Sequence, residues 1–147
     1  MGENMIKEFS VNDLQKCCDL YIRVFNSEPW NDNWTDEMAH MYLHELTEHK
    51  RFLGYTLWDD DCLIGAVFAH MKRFKYDEIY IDEFFISPDY QRKGNGIMLM
   101  STVEKFAKEN SIVSVTLLTG VDKPAFNFYR KLGYKHLDYL AFMYKHP

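Results

Sequence analysis

The sequence predicts an α/β (α+β) fold, a single domain over 1–147 with a mixed, mostly antiparallel sheet and helices on both faces. Three observations carry that expectation. Runs of alternating or continuous apolar residues are interleaved with runs whose apolar residues recur every three or four positions, the strand and helix periods respectively. Clusters of Gly, Pro, Asn and Asp punctuate them. A chain of 147 residues, 47% of them hydrophobic, holds enough apolar material for one full core and too little length for two.

The elements follow in order. Ile6 to Phe9 reads as a first strand, and Ser10-Val11-Asn12-Asp13 offers a cap ahead of a helix through Leu14, Cys17, Cys18, Tyr21, Ile22 and Phe25. Pro29 and several Asn and Asp residues make Asn26 to Trp34 a loop, after which Thr35 caps a second helix through Met38, Met41, Tyr42 and Leu46. Phe52 to Trp58 and Cys62 to Met71, joined by three consecutive aspartates, predict a hairpin, and Tyr76 to Ile86 the next strand. A helix is expected from about Gly96 to Asn110, and Val113 to Leu118 is apolar enough to predict a strand buried on both faces. Pro124 opens a last helix that Gly133 stops, with a final strand expected over Leu137 to Tyr144.

Charge and cysteine usage exclude several functions. A net charge of -5, with its basic residues scattered, does not suit a phosphate-backbone surface, so nucleic acid is not the expected partner. No apolar run approaches the ~20 residues of a membrane span, and no secretory pattern follows Met1, so a cytoplasmic protein without a membrane partner is expected. Cys17, Cys18 and Cys62 lack the spacing of a zinc site or disulfide framework. His40 and His44 lie one helical turn apart without a matching third ligand, so no metal is expected.

The stretch Gln91-Arg92-Lys93-Gly94-Asn95-Gly96 lies between an apolar strand and a periodic helix. Such a junction suits an anion: free N–H groups and the positive end of the peptide dipoles point outward, and glycines allow close approach. A Walker loop is excluded because Gly-Lys-Ser/Thr is missing, and a dinucleotide fingerprint because the glycine spacing differs.

About 30 residues later stands Phe128-Tyr129-Arg130-Lys131-Leu132-Gly133-Tyr134, and with the glycine loop and the element order it makes nearly the whole chain resemble the GNAT superfamily of acyl-CoA-dependent N-acetyltransferases. Its more particular resemblance is to aminoglycoside 6'-N-acetyltransferase-like members. What the resemblance implies is acetyl-CoA as co-substrate, held by Gln91, Arg92, Lys93, Gly94, Asn95 and Gly96 at its pyrophosphate. It also implies that Phe84, Phe85 and Ile86 lie along the pantetheine arm, while Asn127 either bonds a pantetheine amide or faces solvent. Tyr129 resembles the family tyrosine that protonates the departing thiolate. Relatives are often dimers, so a homodimer is compatible with the resemblance. Many relatives carry an asparagine before the tyrosine helix; here Gly120-Val121-Asp122-Lys123-Pro124 stands there, with Asp122 a candidate helix cap.

Acetyl transfer to an amine needs a base, an N–H donor for the thioester carbonyl and an acid for the thiolate. Asp82 and Glu83 are the candidate bases, because carboxylates within the apolar strand Tyr80 to Ile86 are costly to bury. Strand alternation predicts that they face opposite sides of the sheet. No cysteine falls in the matching region, which favours direct attack over an acyl-enzyme. For the acceptor, Trp30 and Trp34 are candidates to stack on or enclose it, or else anchor a capped turn; Asp82 is a further candidate contact, and Glu28, Asp32, Asp36 and Glu37 add negative charge to the tryptophan segment. The expected acceptor is a primary amine of a small molecule. A protein N-terminus or lysine, and a non-catalytic CoA-binding sensor, stay open as alternatives.

Overall fold

The computed structural model describes residues 4–147. Its elements are β1 (Met5–Glu8), α1 (Leu14–Phe25), α2 (Asp36–Thr47), β2 (Phe52–Asp59), β3 (Cys62–Arg73), β4 (Asp77–Ile86), α3 (Asn95–Glu109), β5 (Ser114–Leu117) and α4 (Pro124–Lys131). The strands form one sheet in the order β1-β2-β3-β4-β5, antiparallel except for the parallel β4–β5 pair. This is the expected mixed sheet.

Two cores explain the layers. On one face α1 and α2 bury Cys17, Cys18, Tyr21, Ala39 and Leu43 against Phe68 and Phe85. On the other, Leu99, Met100 and Val103 of α3 and Tyr129 of α4 pack on Val67, Ile79, Ile81 and Ile86. β3 and β4 supply both faces, which is why their runs carry apolar residues without strict alternation. The caps follow the sequence at α2, where Thr35 Oγ1 accepts from the Met38 N–H at 3.1 Å.

Three expectations change. β5 is shorter than Val113 to Leu118 and sits at the sheet edge, so its residues are half-buried rather than buried on both faces. The reason is that Leu137 to Tyr144 forms no strand and leaves β5 with β4 as its one neighbour among the described residues. Asp122 does not cap α4: the cap position is Lys123, which makes no side-chain capping bond.

Candidate active site

A bulge in β4 sets the site. Phe68 pairs with Glu83 and Ala69 with Ile81, so Asp82 is an extra residue without a partner on β3. The bulge reverses the predicted alternation. Glu83 reaches Tyr21 of α1 and Tyr42 of α2, while Asp82 reaches His70, whose ring stacks on His49 just beyond α2. Both carboxylates thus face the α1/α2 side, and the opposite-sides expectation fails because register, not composition, places the extra residue.

Glu83 Oε1 accepts hydrogen bonds from the Tyr21 hydroxyl at 3.0 Å and the Tyr42 hydroxyl at 3.1 Å. Burial disfavours its charge more than those two bonds restore it, and the carboxyl is raised to about 7. Burial, and after it the same carboxylate, pushes both tyrosine hydroxyls up, so they remain donors. Asp82 Oδ2 lies 2.7 Å from His70 Nδ1, and both side chains are largely buried.

Aromatic rings wall this site. Trp34 stacks on Tyr42 with centroids 5.5 Å apart and meets Tyr21 edge-on at 5.0 Å. Asn26 fixes it there, accepting from the Trp34 N–H at 2.6 Å and donating to its carbonyl at 2.9 Å. The indole Nε1–H of Trp34 is buried without an acceptor among the described residues. Trp30 packs instead on Phe25, outside the tyrosine pair.

The other side of the site is an opening between strands. β4 pairs with β5 from Glu78↔Ser114 to Ile81↔Leu117 and no further, so Asp82 to Ile86 present an unpaired edge there. Phe84 turns toward α4, stacked on Phe128 at 5.6 Å and beside Tyr129 at 6.1 Å. Phe85 packs into the α1/α2 core, and Ile86 into the α3 core. Tyr129 is buried, its hydroxyl has no hydrogen-bond partner among the described residues, and burial together with the Glu83 charge pushes it up. Asn127 is exposed on α4.

Between β4 and α3 the chain turns through a 3-10 segment and the glycine loop. Arg92 (φ 61°) and Gly94 (φ 85°) are left-handed, and the first bond of α3 runs from the Met98 N–H to the Gly94 carbonyl. The N–H groups from Arg92 to Ile97 have no backbone acceptor among the described residues. A Cβ on Gly94 would meet nothing within 4 Å, so the cradle is open, whereas one on Gly96 would lie 3.0 Å from the Phe128 ring. Arg92 and Lys93 are exposed beside it. A row of free donors with flanking cations fits a pyrophosphate. The side chains of Gln91 and Asn95 are already engaged: Gln91 donates to the Ile86 carbonyl and Asn95 to the Tyr90 carbonyl, both at 2.9 Å. They shape the loop, each with one of its two amide N–H donors engaged.

Beside Asp82 and His70 opens a cavity of about 710 Å³ lined by Lys50, Arg51, Lys72, Arg73 and Tyr80 among others. Asp77 pairs with both arginines. Tyr21, Tyr42 and His70 were not anticipated from the sequence. The two tyrosines sit at inward helix positions that read as plain core, and their signal was two hydroxyls facing one strand that carries carboxylates. His70 offered no signal beyond lying near a strand end.

Residues 14–134 match the model of the Acetyltransferase (GNAT) family, and the chain belongs to that family. It is accordingly an acyl-CoA-dependent N-acetyltransferase. No curated protein matches the sequence. Among solved structures it is similar to AAC(6')-Iy in complex with the bisubstrate analog CoA-S-monomethyl-acetylneamine, at TM-score 0.76 and 14% identity, covering 99% of this chain and 100% of that one. The aminoglycoside antibiotic 6'-N-acetyltransferase AAC(6')-IG from Acinetobacter haemolyticus aligns at TM-score 0.78 and 17% identity over 97% and 99%. An aminoglycoside acetyltransferase, meta-AAC0020, from an uncultured soil metagenomic sample in complex with sisomicin aligns at 0.77 and 20% over 98% and 96%. These likenesses establish the shared fold.

Proposed function

We propose that this chain acetylates a primary amine of a small molecule by direct attack, with Glu83 as the base. The observation that carries the proposal is Glu83 itself, a carboxyl held by Tyr21 and Tyr42 at about pKa 7, beside the strand edge where the β4–β5 ladder ends. A base poised near neutrality takes a proton most effectively at that pH. Acetyl-CoA supplies the activated thioester. The free N–H groups from Arg92 to Ile97 and the two cations would hold its pyrophosphate. The unpaired edge from Asp82 to Ile86 would take the pantetheine arm and offer N–H groups to the carbonyl. Tyr129, neutral because it is buried near Glu83, stands as the proton donor to the thiolate. His70 orients Asp82 within the acceptor wall.

An acyl-enzyme has no candidate nucleophile. Cys17 and Cys18 are buried and their thiols are pushed up, the latter to about 11. Cys62 stands six residues along β3 from the partner of Glu83, about 20 Å at the usual strand rise.

Structural neighbours acetylate or bind aminoglycosides, which supports an amine of small-molecule size. The cavity wall modifies that reading. Lys50, Lys72 and the two arginines outnumber Asp77, so an acceptor that pairs its amine with an anionic group fits better than a polycation. The test is CoA release from acetyl-CoA with a panel of polycationic, neutral and carboxylate- or phosphate-bearing amines, and with peptides. Turnover is expected to be highest with the acid-bearing amines. Turnover with peptides alone would overturn the small-molecule acceptor, and CoA binding without turnover of any amine would overturn the enzymatic role of the site.

A further inference from the structure

Lys50, Arg51, Lys72 and Arg73 gather around one cavity in a chain whose net charge is -5. They are not equivalent. Asp77 accepts from Arg51 through both oxygens, at 2.7 and 3.1 Å, and from Arg73 Nε at 3.3 Å, so both guanidinium groups already have their carboxylate. Lys50 and Lys72 make no ion pair among the described residues. Glu78 stands opposite Lys72 in the ladder, but its Oε2 accepts from Ser114 Oγ at 3.2 Å, and the Lys72 ammonium lies over the Tyr80 ring, 5.9 Å from its centroid. Two ammonium groups thus border the cavity without a counter-charge.

The strands tie this place to the base. Phe68 pairs with Glu83 and packs in the α1/α2 core, and His70 and Lys72 follow it at the strand period of two, so all three side chains leave β3 on one face. Past the end of α2 at Thr47, the His49 ring stacks on His70 with centroids 4.1 Å apart. His70 also bonds Asp82, the neighbour of Glu83, and its ring lies 5.6 Å from Tyr80. A floor of Asp82, His70 and Tyr80 therefore runs from the base to Lys72.

The length of that floor selects among amines. Lys72 is four residues along β3 from the partner of Glu83, about 13 Å at the usual strand rise. Its ammonium is drawn back over Tyr80, which precedes Glu83 by three residues on β4, or about 10 Å. A hydrogen bond of about 3 Å at each end leaves about 4–7 Å between the amine nitrogen and the acid oxygen of a molecule that spans the two. The amine and carboxylate of an α-amino acid are joined through one carbon and stand only about 3 Å apart.

We propose that Lys72, with Lys50 beside it, is the subsite for the acid group of the acceptor, and that the acceptor is an ω-amino acid, with its primary amine at one end of a short chain and its anion at the other. This deepens the reading of Glu83 as the base and rests on it. Lys72 is then a specificity-determining residue, since it rewards an acid at the right distance and repels a second amine there.

The test is kcat/KM for CoA release from acetyl-CoA along the series glycine, β-alanine, γ-aminobutyrate, δ-aminovalerate and ε-aminocaproate, each compared with the plain alkylamine of equal length. The matching phosphonates distinguish the two kinds of acid. The ratio of acid-bearing to plain amine is expected to rise from glycine to a maximum at γ-aminobutyrate or δ-aminovalerate, or at the phosphonate of that length. Lys72→Met, which keeps the stem and removes the charge, is expected to lower the ratio at the maximum about tenfold or more, through KM rather than kcat. Lys72→Glu should turn the preference toward the diamine of equal length. A maximum at glycine, a ratio that stays flat along both series, or a maximum that Lys72→Met leaves in place overturns the subsite, while turnover of the plain amines would leave the role of Glu83 standing. Should no amine be turned over, the role of Glu83 fails, and calorimetric titration with δ-aminovalerate decides the subsite. Binding that Lys72→Met weakens about tenfold supports it; equal or absent binding overturns it.

Discussion

Burying the Glu83 carboxyl removes it from water, and the Tyr21 and Tyr42 hydroxyls return only part of that loss, which is why it stands at about 7 rather than 4.5. The shift has a consequence for stability. A carboxyl raised in the folded state binds its proton more tightly there than when unfolded, so its contribution is complete below about pH 4.5 and is lost as pH rises to about 7. The full shift corresponds to about 3 kcal/mol. Glu83→Gln, which keeps the shape and removes the ionisation, is expected to raise the melting temperature relative to the wild type at pH 8 and to leave it nearly unchanged at pH 4.5. Equal effects at the two pH values would contradict the assigned burial. At this scale the sequence made the carboxylates visible, since acidic residues in an apolar strand stand out. Their shared face was not visible, because it depends on one unpaired residue in the ladder.

Among the elements, the glycine loop and α4 act as a unit. Gly96 lies at the start of α3 against the rings of Phe128 and Phe84, so its lack of a side chain serves packing between α3 and α4. Gly94 has open space around it and a left-handed φ of 85°, so its role is backbone shape and access. Gly96→Ala is therefore expected to destabilise the fold by about 1–3 kcal/mol through overpacking. Adding Phe128→Leu should recover part of the loss, a non-additivity that chemical denaturation of the single and double variants measures. Strict additivity would mean that the two residues are not coupled. The helices and the hairpin were legible from periodicity and turn residues. The final strand was not, because an apolar run shows that a segment needs burial but does not say which surface supplies it.

In the whole molecule, the sheet separates two kinds of chemistry and the β4–β5 opening joins them. The α3/α4 side holds the glycine loop and Tyr129; the α1/α2 side holds Glu83, Asp82 and the aromatic rings around them. Donor-side motifs were readable because glycine loops and the tyrosine helix are local in sequence. The groups proposed for the acceptor side come from α1, α2, β3 and β4 and meet only through folding, so Tyr21, Tyr42 and His70 left no comparable trace. In the proposed reaction Glu83 serves as the base across that opening. Its most direct measurement is kcat/KM for amine-dependent CoA release as a function of pH, for the wild type and Glu83→Gln. The wild type is expected to gain activity through about pH 7 as Glu83 ionises, and the variant to lose ~10²–10⁴-fold and that inflection with it. A Glu83→Gln enzyme that keeps both its rate and the inflection near pH 7 would contradict the assignment.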